Sequence, residues 1–105
     1  MKELSVQELK AKMDRNEDFQ LIDVREVSEH EYCSITGAQL IPMGEILARI
    51  NEVDKTKEVI IHCKSGGRSG AIVNALMARG FSNVINLRGG ILAWSQEIDP
   101  SIPTY

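Results

Sequence analysis

Glu58-Val59-Ile60-Ile61-His62-Cys63-Lys64-Ser65-Gly66-Gly67-Arg68-Ser69 decides the architecture. Val59-Ile60-Ile61 is a β-branched run, so a buried strand is predicted over Glu58–His62. Gly66-Gly67 end any regular strand, and Ser69 to Arg79 then reads as a helix, with Gly80 where a C-terminal glycine cap belongs. That helix is apolar on nearly every side (Ala71, Ile72, Val73, Ala75, Leu76, Met77, Ala78), which predicts cover on more than one face. A strand that runs almost directly into a helix is half of a βαβ unit.

The flanking sequence repeats the theme. Leu21-Ile22-Asp23-Val24 reads as a buried strand beginning near Phe19, Ala38 to Pro42 as a strand that the proline stops, and Asn83 to Leu87 as the last strand. Ser5 and Glu8 form a Ser-x-x-Glu capping box, and Val6, Leu9 and Met13 line one side of the helix it opens. Glu29 to Tyr32 predicts a brief helix, and Ile46, Leu47 and Ile50 are spaced as a further helix face. Gly90 to Ile98 predicts the last helix, with Ile91, Trp94 and Ile98 on one side; Trp94 reads as core, and Gly89 and Gly90 as a turn and helix start. Asp54-Lys55-Thr56-Lys57 is too polar for core, and Asp99 to Pro103 cannot continue a helix. No internal repeat or linker interrupts the pattern. The expectation is one α/β domain over residues 1–105, a mostly parallel central sheet flanked by helices, with four strands alternating with five helices.

Composition agrees. The chain has 105 residues with 15 acidic against 12 basic, a formal charge of −3, and 43% hydrophobic residues. A chain of that size closes a core without disulfides or metal. The acidic balance argues against nucleic-acid or anionic-membrane partners. Two cysteines 30 residues apart make no disulfide scaffold, no signal peptide is visible after Met1-Lys2-Glu3, and no apolar run approaches a membrane span. A reduced, cytoplasmic domain is expected.

Chemistry concentrates where the central strand meets its helix, because open parallel sheets bind ligands beyond their carboxyl ends. Cys63 there faces the positive end of a helix dipole, with Lys64 and Arg68 close by, and each of these favours thiolate over thiol. Gly66 and Gly67 let successive N–H groups turn inward as an anion cradle. The loop carries +2 against −5 for the rest of the chain, so an anionic substrate is favoured. Cys63 is the candidate nucleophile, and Lys64, Ser65, Gly66, Gly67, Arg68 and Ser69 are the candidate substrate-binding residues. Asp23 and Arg25 leave the sheet at the same end and read as an ion pair pinning the loops around the site.

The pattern resembles the rhodanese-like family of sulfurtransferases over nearly the whole chain. Leu21-Ile22-Asp23-Val24-Arg25-Glu26 is similar to the family's early motif, and Glu31-Tyr32 with Ile35, Gly37-Ala38 and Ile41-Pro42 to its second. Cys63 to Ser69 resembles the active-site loop, and Leu87-Arg88-Gly89-Gly90 with Trp94 the terminal motif. Cys33-Ser34-Ile35-Thr36-Gly37-Ala38 stands where many members have Gly-His-Ile-Pro-Gly-Ala. The resemblance implies ping-pong transfer: Cys63 takes sulfur from an anionic donor such as thiosulfate, and cyanide, a thiol or a protein removes it. No cofactor and no metal are expected.

Three other readings compete. Cysteine phosphatases and arsenate reductases combine a thiolate, an anion cradle and an arginine, but with Cys-x5-Arg; here Cys63 to Arg68 is Cys-x4-Arg, a smaller ring of N–H groups. A sulfur-carrier or protein-binding module would hold the sulfur without rapid turnover. A zinc site drawn from His30, Cys33, His62 and Cys63 is disfavoured, because neighbouring strand residues point to opposite faces; His62 reads as packed or hydrogen-bonded beside the loop. No Walker-type or Gly-x-Gly-x-x-Gly pattern supports nucleotide binding.

Overall fold

A computed structural model of the chain describes residues 1–105. Its elements run β1 (Glu3–Leu4), α1 (Val6–Asp14), β2 (Phe19–Asp23), α2 (Val27–Tyr32), β3 (Gln39–Leu40), β4 (Glu58–His62), α3 (Gly67–Ala78), β5 (Val84–Leu87) and α4 (Gly90–Glu97). The five strands form one sheet in the order β1-β5-β4-β2-β3, every pair parallel. β4 is therefore central, between β2 and β5, and its loop opens in the middle of the sheet's carboxyl edge. No helix is long and apolar enough to cross a membrane.

The period of two along β4 divides the core. Val59, Ile61 and Cys63 join a cluster with Ile22, Val24, Ile72, Val73 and Leu76 under α3. Ile60 joins the opposite cluster with Leu9, Leu21, Ile85, Ile91 and Trp94, under α1 and α4. Trp94 is thus core, as expected. Residue-by-residue pairing of β2 with β4 sets Asp23 beside His62, on the side opposite Cys63.

Several expectations change. The fifth strand, β1, was not predicted: two residues before the Ser5 cap carry no readable period, yet Lys2 and Leu4 carbonyls accept the N–H groups of Asn86 and Arg88 (3.0 and 2.8 Å). The helix face at Ile46, Leu47 and Ile50 is replaced by two short 3-10 turns, Met43–Glu45 and Ile50–Glu52, with Ile46 buried and Leu47 exposed. Gln20 serves that segment's backbone instead, donating to the Glu52 carbonyl (2.7 Å) and accepting from Asp54 N–H (2.8 Å). β3 shortens to two residues, β5 begins one residue later at Val84, and α2 begins two residues earlier at Val27.

α3 also begins two residues earlier than predicted, at Gly67, because Gly66 takes φ +118° as its N-cap, a conformation glycine adopts without steric cost. Only one side of α3 is buried, through Ser69, Gly70, Ile72, Val73 and Leu76; Ala71, Met77 and Ala78 are exposed. Cover on a second face was expected from composition. Alanines lose little by exposure and favour the helix for their own propensity, so they mimic an apolar face.

Candidate active site

Cys63 follows β4 directly and lies at the bottom of the loop, 1% exposed. The Gly66 N–H donates to Cys63 Sγ at 3.1 Å, and Ser69 Oγ lies 3.3 Å from the same sulfur. Gly70 N–H is the first of α3 to bond back, to the Gly66 carbonyl, so the N–H groups of Gly67, Arg68 and Ser69 have no helical partner. Burial pushes the Cys63 thiol up. Hydrogen bonds from the Ser69 hydroxyl and from the N–H groups of Ser69, Gly66 and Ser65 outweigh it, and hold the thiol below its ordinary value. The site therefore stabilises a thiolate with neutral donors at the helix start.

The loop is fixed from behind by α4. Ile91 N–H donates to the Cys63 carbonyl and Leu92 N–H to the Lys64 carbonyl, both at 3.0 Å. Gly90 makes this approach possible: its φ is +58°, and any Cβ there would collide with the carbonyls of Cys63 and Lys64. Gly89 and Gly90 are thus a turn and helix start, and also the contact surface for the loop. On the other side Asn86 of β5 accepts from Ser69 Oγ (2.6 Å) and donates to the Gly66 carbonyl (3.3 Å).

The two loop cations do not point at the sulfur as free charges. Arg68 is bidentate to Glu29 of α2 (2.7 and 3.0 Å), and the carboxylate holds its guanidinium above the usual arginine range. The charge of a Cys63 thiolate adds a smaller push in the same direction. Arg68 in turn holds the Glu29 carboxyl well below the usual carboxylate range, at about 2. Lys64 Nζ lies 4.5 Å from the centre of the Tyr105 ring. The sulfur is met instead by the N–H groups of Ser65, Gly66 and Ser69 and by the Ser69 hydroxyl, and Gly67 opens α3 beside them.

Asp23 and Arg25 form a fully buried ion pair, Oδ2 to Nη2 at 2.8 Å, with a second contact from Nε to Oδ1 at 3.0 Å. Arg25 Nη2 also donates to the Cys33 carbonyl (2.6 Å), and its Nη1 to the Tyr105 hydroxyl (3.0 Å). The pair therefore ties the loop after β2 to the segment after α2. Burial pushes the Asp23 carboxyl up, but Arg25, His62 and His30 outweigh it and hold it below its usual value. His30 Nδ1 is 2.8 Å from Asp23 Oδ2. His62 donates from Nδ1 to the Cys63 carbonyl (3.1 Å), which leaves its Nε2 without a hydrogen-bond partner, 3.9 Å from Asp23 Oδ2. Burial holds its pKa below the histidine norm. Both cysteines are free, and they belong to opposite core clusters, Cys33 under α4 and Cys63 under α3.

Glu29, Asn86 and Tyr105 escaped the sequence reading. Glu29 was visible only as part of a short helix. Nothing local marks Tyr105, whose hydroxyl reaches Arg25 and Glu29 across 80 and 76 positions of sequence.

Comparison with known proteins points the same way. A family model, the rhodanese-like domain, matches residues 5–97. The chain is 40% identical over 100 residues to the putative sulfurtransferase YtwF of Bacillus subtilis, covering 95% of this chain and 96% of that one. It is 38% identical over 93 residues to the putative sulfur carrier protein YrkF of the same organism, covering 89% of this chain and half of that protein. Another curated relative is matched over only 38% of its length, so for some relatives this chain corresponds to one part of a longer protein. A rhodanese-like domain protein from Staphylococcus aureus superposes with a TM-score of 0.86 at 36% identity, covering 93% of this chain and 95% of that one.

Proposed function

The chain belongs to the rhodanese-like domain family, and from that premise we propose that it moves a sulfane sulfur from an anionic donor such as thiosulfate to a thiophilic acceptor through a persulfide on Cys63. The observation that carries the reading is the sulfur of Cys63 at the head of α3, faced by the Gly66 N–H at 3.1 Å and the Ser69 hydroxyl at 3.3 Å. Those donors stabilise the thiolate before reaction and the persulfide anion after it.

In the first half-reaction the Cys63 thiolate attacks the outer sulfur of thiosulfate. A sulfur–sulfur bond forms to Cys63, and the bond to the central sulfur breaks, its electron pair leaving with sulfite. In the second, cyanide or a thiolate attacks the terminal sulfur of the persulfide, and the Cys63 thiolate returns. Neither half needs an acid, an outside oxidant or a metal. At 1% exposure, Cys63 is open only to the tip of a donor, which suits the passage of one atom. Ser65, Gly66, Gly67 and Ser69 serve this site through N–H groups and a hydroxyl, Arg68 through its field, and Asp23 with Arg25 by bracing the loops. Two free thiols suit a reducing, cytoplasmic setting.

A second reading, a sulfur carrier that loads but turns over slowly on small molecules, is favoured by one feature: both loop cations are already engaged, Arg68 by Glu29 and Lys64 by Tyr105. The relative named a putative sulfur carrier fits it too. Intact mass after thiosulfate tests the shared step. One added sulfur atom is expected, absent in Cys63→Ser and present in Cys33→Ser; loading on Cys33 alone would sink the assignment. Brisk thiocyanate formation with cyanide then favours the enzyme, and loading without turnover the carrier.

A further inference from the structure

Lys64 belongs to the catalytic loop, yet its side chain leaves that loop. It lines a small recess with Ile91, Leu92, Pro103 and Tyr105, between α4 and the segment that follows it, and its Nζ sits 4.5 Å from the Tyr105 ring centre. The ring is held in place from several sides. Its hydroxyl donates to Glu29 Oε2 at 2.6 Å and accepts from Arg25 Nη1 at 3.0 Å. It packs against Tyr32 in a T-shaped pair, with centroids 6.1 Å apart and planes at 78°. The segment carrying it is anchored by Ser95 Oγ, which donates to the Ile102 carbonyl at 2.5 Å, and by Ile102, which packs on the core. Tyr105 thus touches the partner of one loop cation and the other cation itself.

We propose that Tyr105 is a positioning residue that holds Lys64 on its ring face, away from the anion cradle, and so sets how strongly the Cys63 site prefers anionic over neutral partners. The proposal rests on Cys63 being the nucleophile. With Lys64 docked, the charge of an incoming dianion is met mainly by backbone N–H groups and by an arginine already shared with Glu29. The site then discriminates weakly by charge, and low-charge sulfur donors such as thiol persulfides compete well with small dianions. With Lys64 released, an ammonium on a flexible stem reaches the cradle and the preference for anions rises.

Alkylation of Cys63 by iodoacetate and by iodoacetamide reads this directly, because the two reagents differ chiefly in charge. The measurement uses the full chain carrying Cys33→Ser, so that one thiol reports, and takes the pH-independent rate for each reagent. Tyr105→Ala should raise the ratio of anionic to neutral rate about two- to five-fold, the range a partly exposed cation–π contact supports. Tyr105→Phe keeps the ring and should restore most of the original ratio. Raised salt should shrink the difference, and Tyr105→Ala in a Lys64→Met background should show none of it. In turnover, Tyr105→Ala should lower the KM for thiosulfate more than it changes kcat. An unchanged ratio, an equal rise with both reagents, or a rise that survives Lys64→Met would each overturn the proposal. Cys63 inert to both reagents would overturn the nucleophile reading beneath it. Normal alkylation without sulfur loading from thiosulfate would sink the proposed sulfur transfer while leaving the role of Tyr105 to be judged on the ratio.

Discussion

Ser69 Oγ lies 3.3 Å from Cys63 Sγ across the first turn of α3, and its single proton has a second taker in Asn86 Oδ1 at 2.6 Å. A hydroxyl donates one hydrogen bond at a time. When Cys63 is a thiolate, donation to sulfur wins charge stabilisation at the expense of the amide. Ser69→Ala should therefore move the midpoint of the Cys63 alkylation profile to higher pH and slow alkylation at neutral pH about tenfold or more, the low end for a hydrogen bond to a charged group. Asn86→Ala removes the competing acceptor and should move the midpoint the other way. A profile unmoved by Ser69→Ala would leave the backbone N–H groups alone responsible for the low thiol pKa.

The Asp23–Arg25 pair predicts a stability effect. Both side chains are fully buried, and the guanidinium reaches the Cys33 carbonyl and Tyr105 hydroxyl besides the carboxylate. Removing one partner strands the other's charge in the core. Asp23→Ala should cost about 3–5 kcal/mol, and thermal unfolding should shift down by about 15 °C or more for a domain of this length. A loss under about 1 kcal/mol would mean that water reaches Arg25 in the folded state.

Acid should undo the bond between α2 and the loop. The Glu29 carboxyl is lowered from 4.5 to about 2, first by Arg68 and then by Tyr105 against a burial cost. A carboxyl lowered on folding stabilises the native state fully above its unfolded value, and that contribution disappears as pH falls through the folded value. Glu29→Gln should therefore unfold at lower urea than the parent at pH 6, and the gap should close between about pH 4.5 and 2. A gap that is constant over that range would show the loss to be one of packing rather than charge.

How much of this was legible beforehand follows from the reach of each contact. β4, the cysteine at its end and the glycine turn declare themselves within a dozen residues, because β-branched runs and glycine pairs act locally. β1 is only two residues long and is defined by its partner β5, over 80 positions away, so no local pattern announces it. Ile46, Leu47 and Ile50 share a helical spacing, yet the segment breaks into two 3-10 turns whose end is tied to β2 by Gln20, through the Glu52 carbonyl and the Asp54 N–H. Lys64 and Arg68 belong to the loop after β4, but sequence shows where a cation starts and not where its long side chain ends. Their ends lie on Tyr105 and Glu29, which only the folded chain brings near.

Loop length should decide which anion chemistry the thiolate performs. Both ends of the loop are held: the carbonyls of Cys63 and Lys64 by the N–H groups of Ile91 and Leu92, and the start of α3 by Asn86 and by Ile72, Val73 and Leu76 in the core. An extra residue between Gly66 and Gly67 cannot be absorbed by sliding α3, since every buried side chain on it would change place. It must bulge and widen the ring of N–H groups, carrying the Gly66 N–H away from its 3.1 Å contact with Cys63 Sγ. Inserting one glycine there should lower sulfur loading from thiosulfate about tenfold or more, the worth of one charge-assisted hydrogen bond. The alkylation midpoint should rise with it. The wider ring leaves space for the equatorial oxygens of a tetrahedral anion, so phosphate or arsenate should protect Cys63 of the inserted protein from alkylation and leave the parent unprotected. Phosphatase turnover is not required of the inserted protein, because that reaction also needs a general acid. Efficient aryl-phosphate hydrolysis by the parent, lost in Cys63→Ser, would falsify the sulfur assignment, whereas an inserted loop that loads sulfur as well as the original would show that ring size is not the discriminating variable.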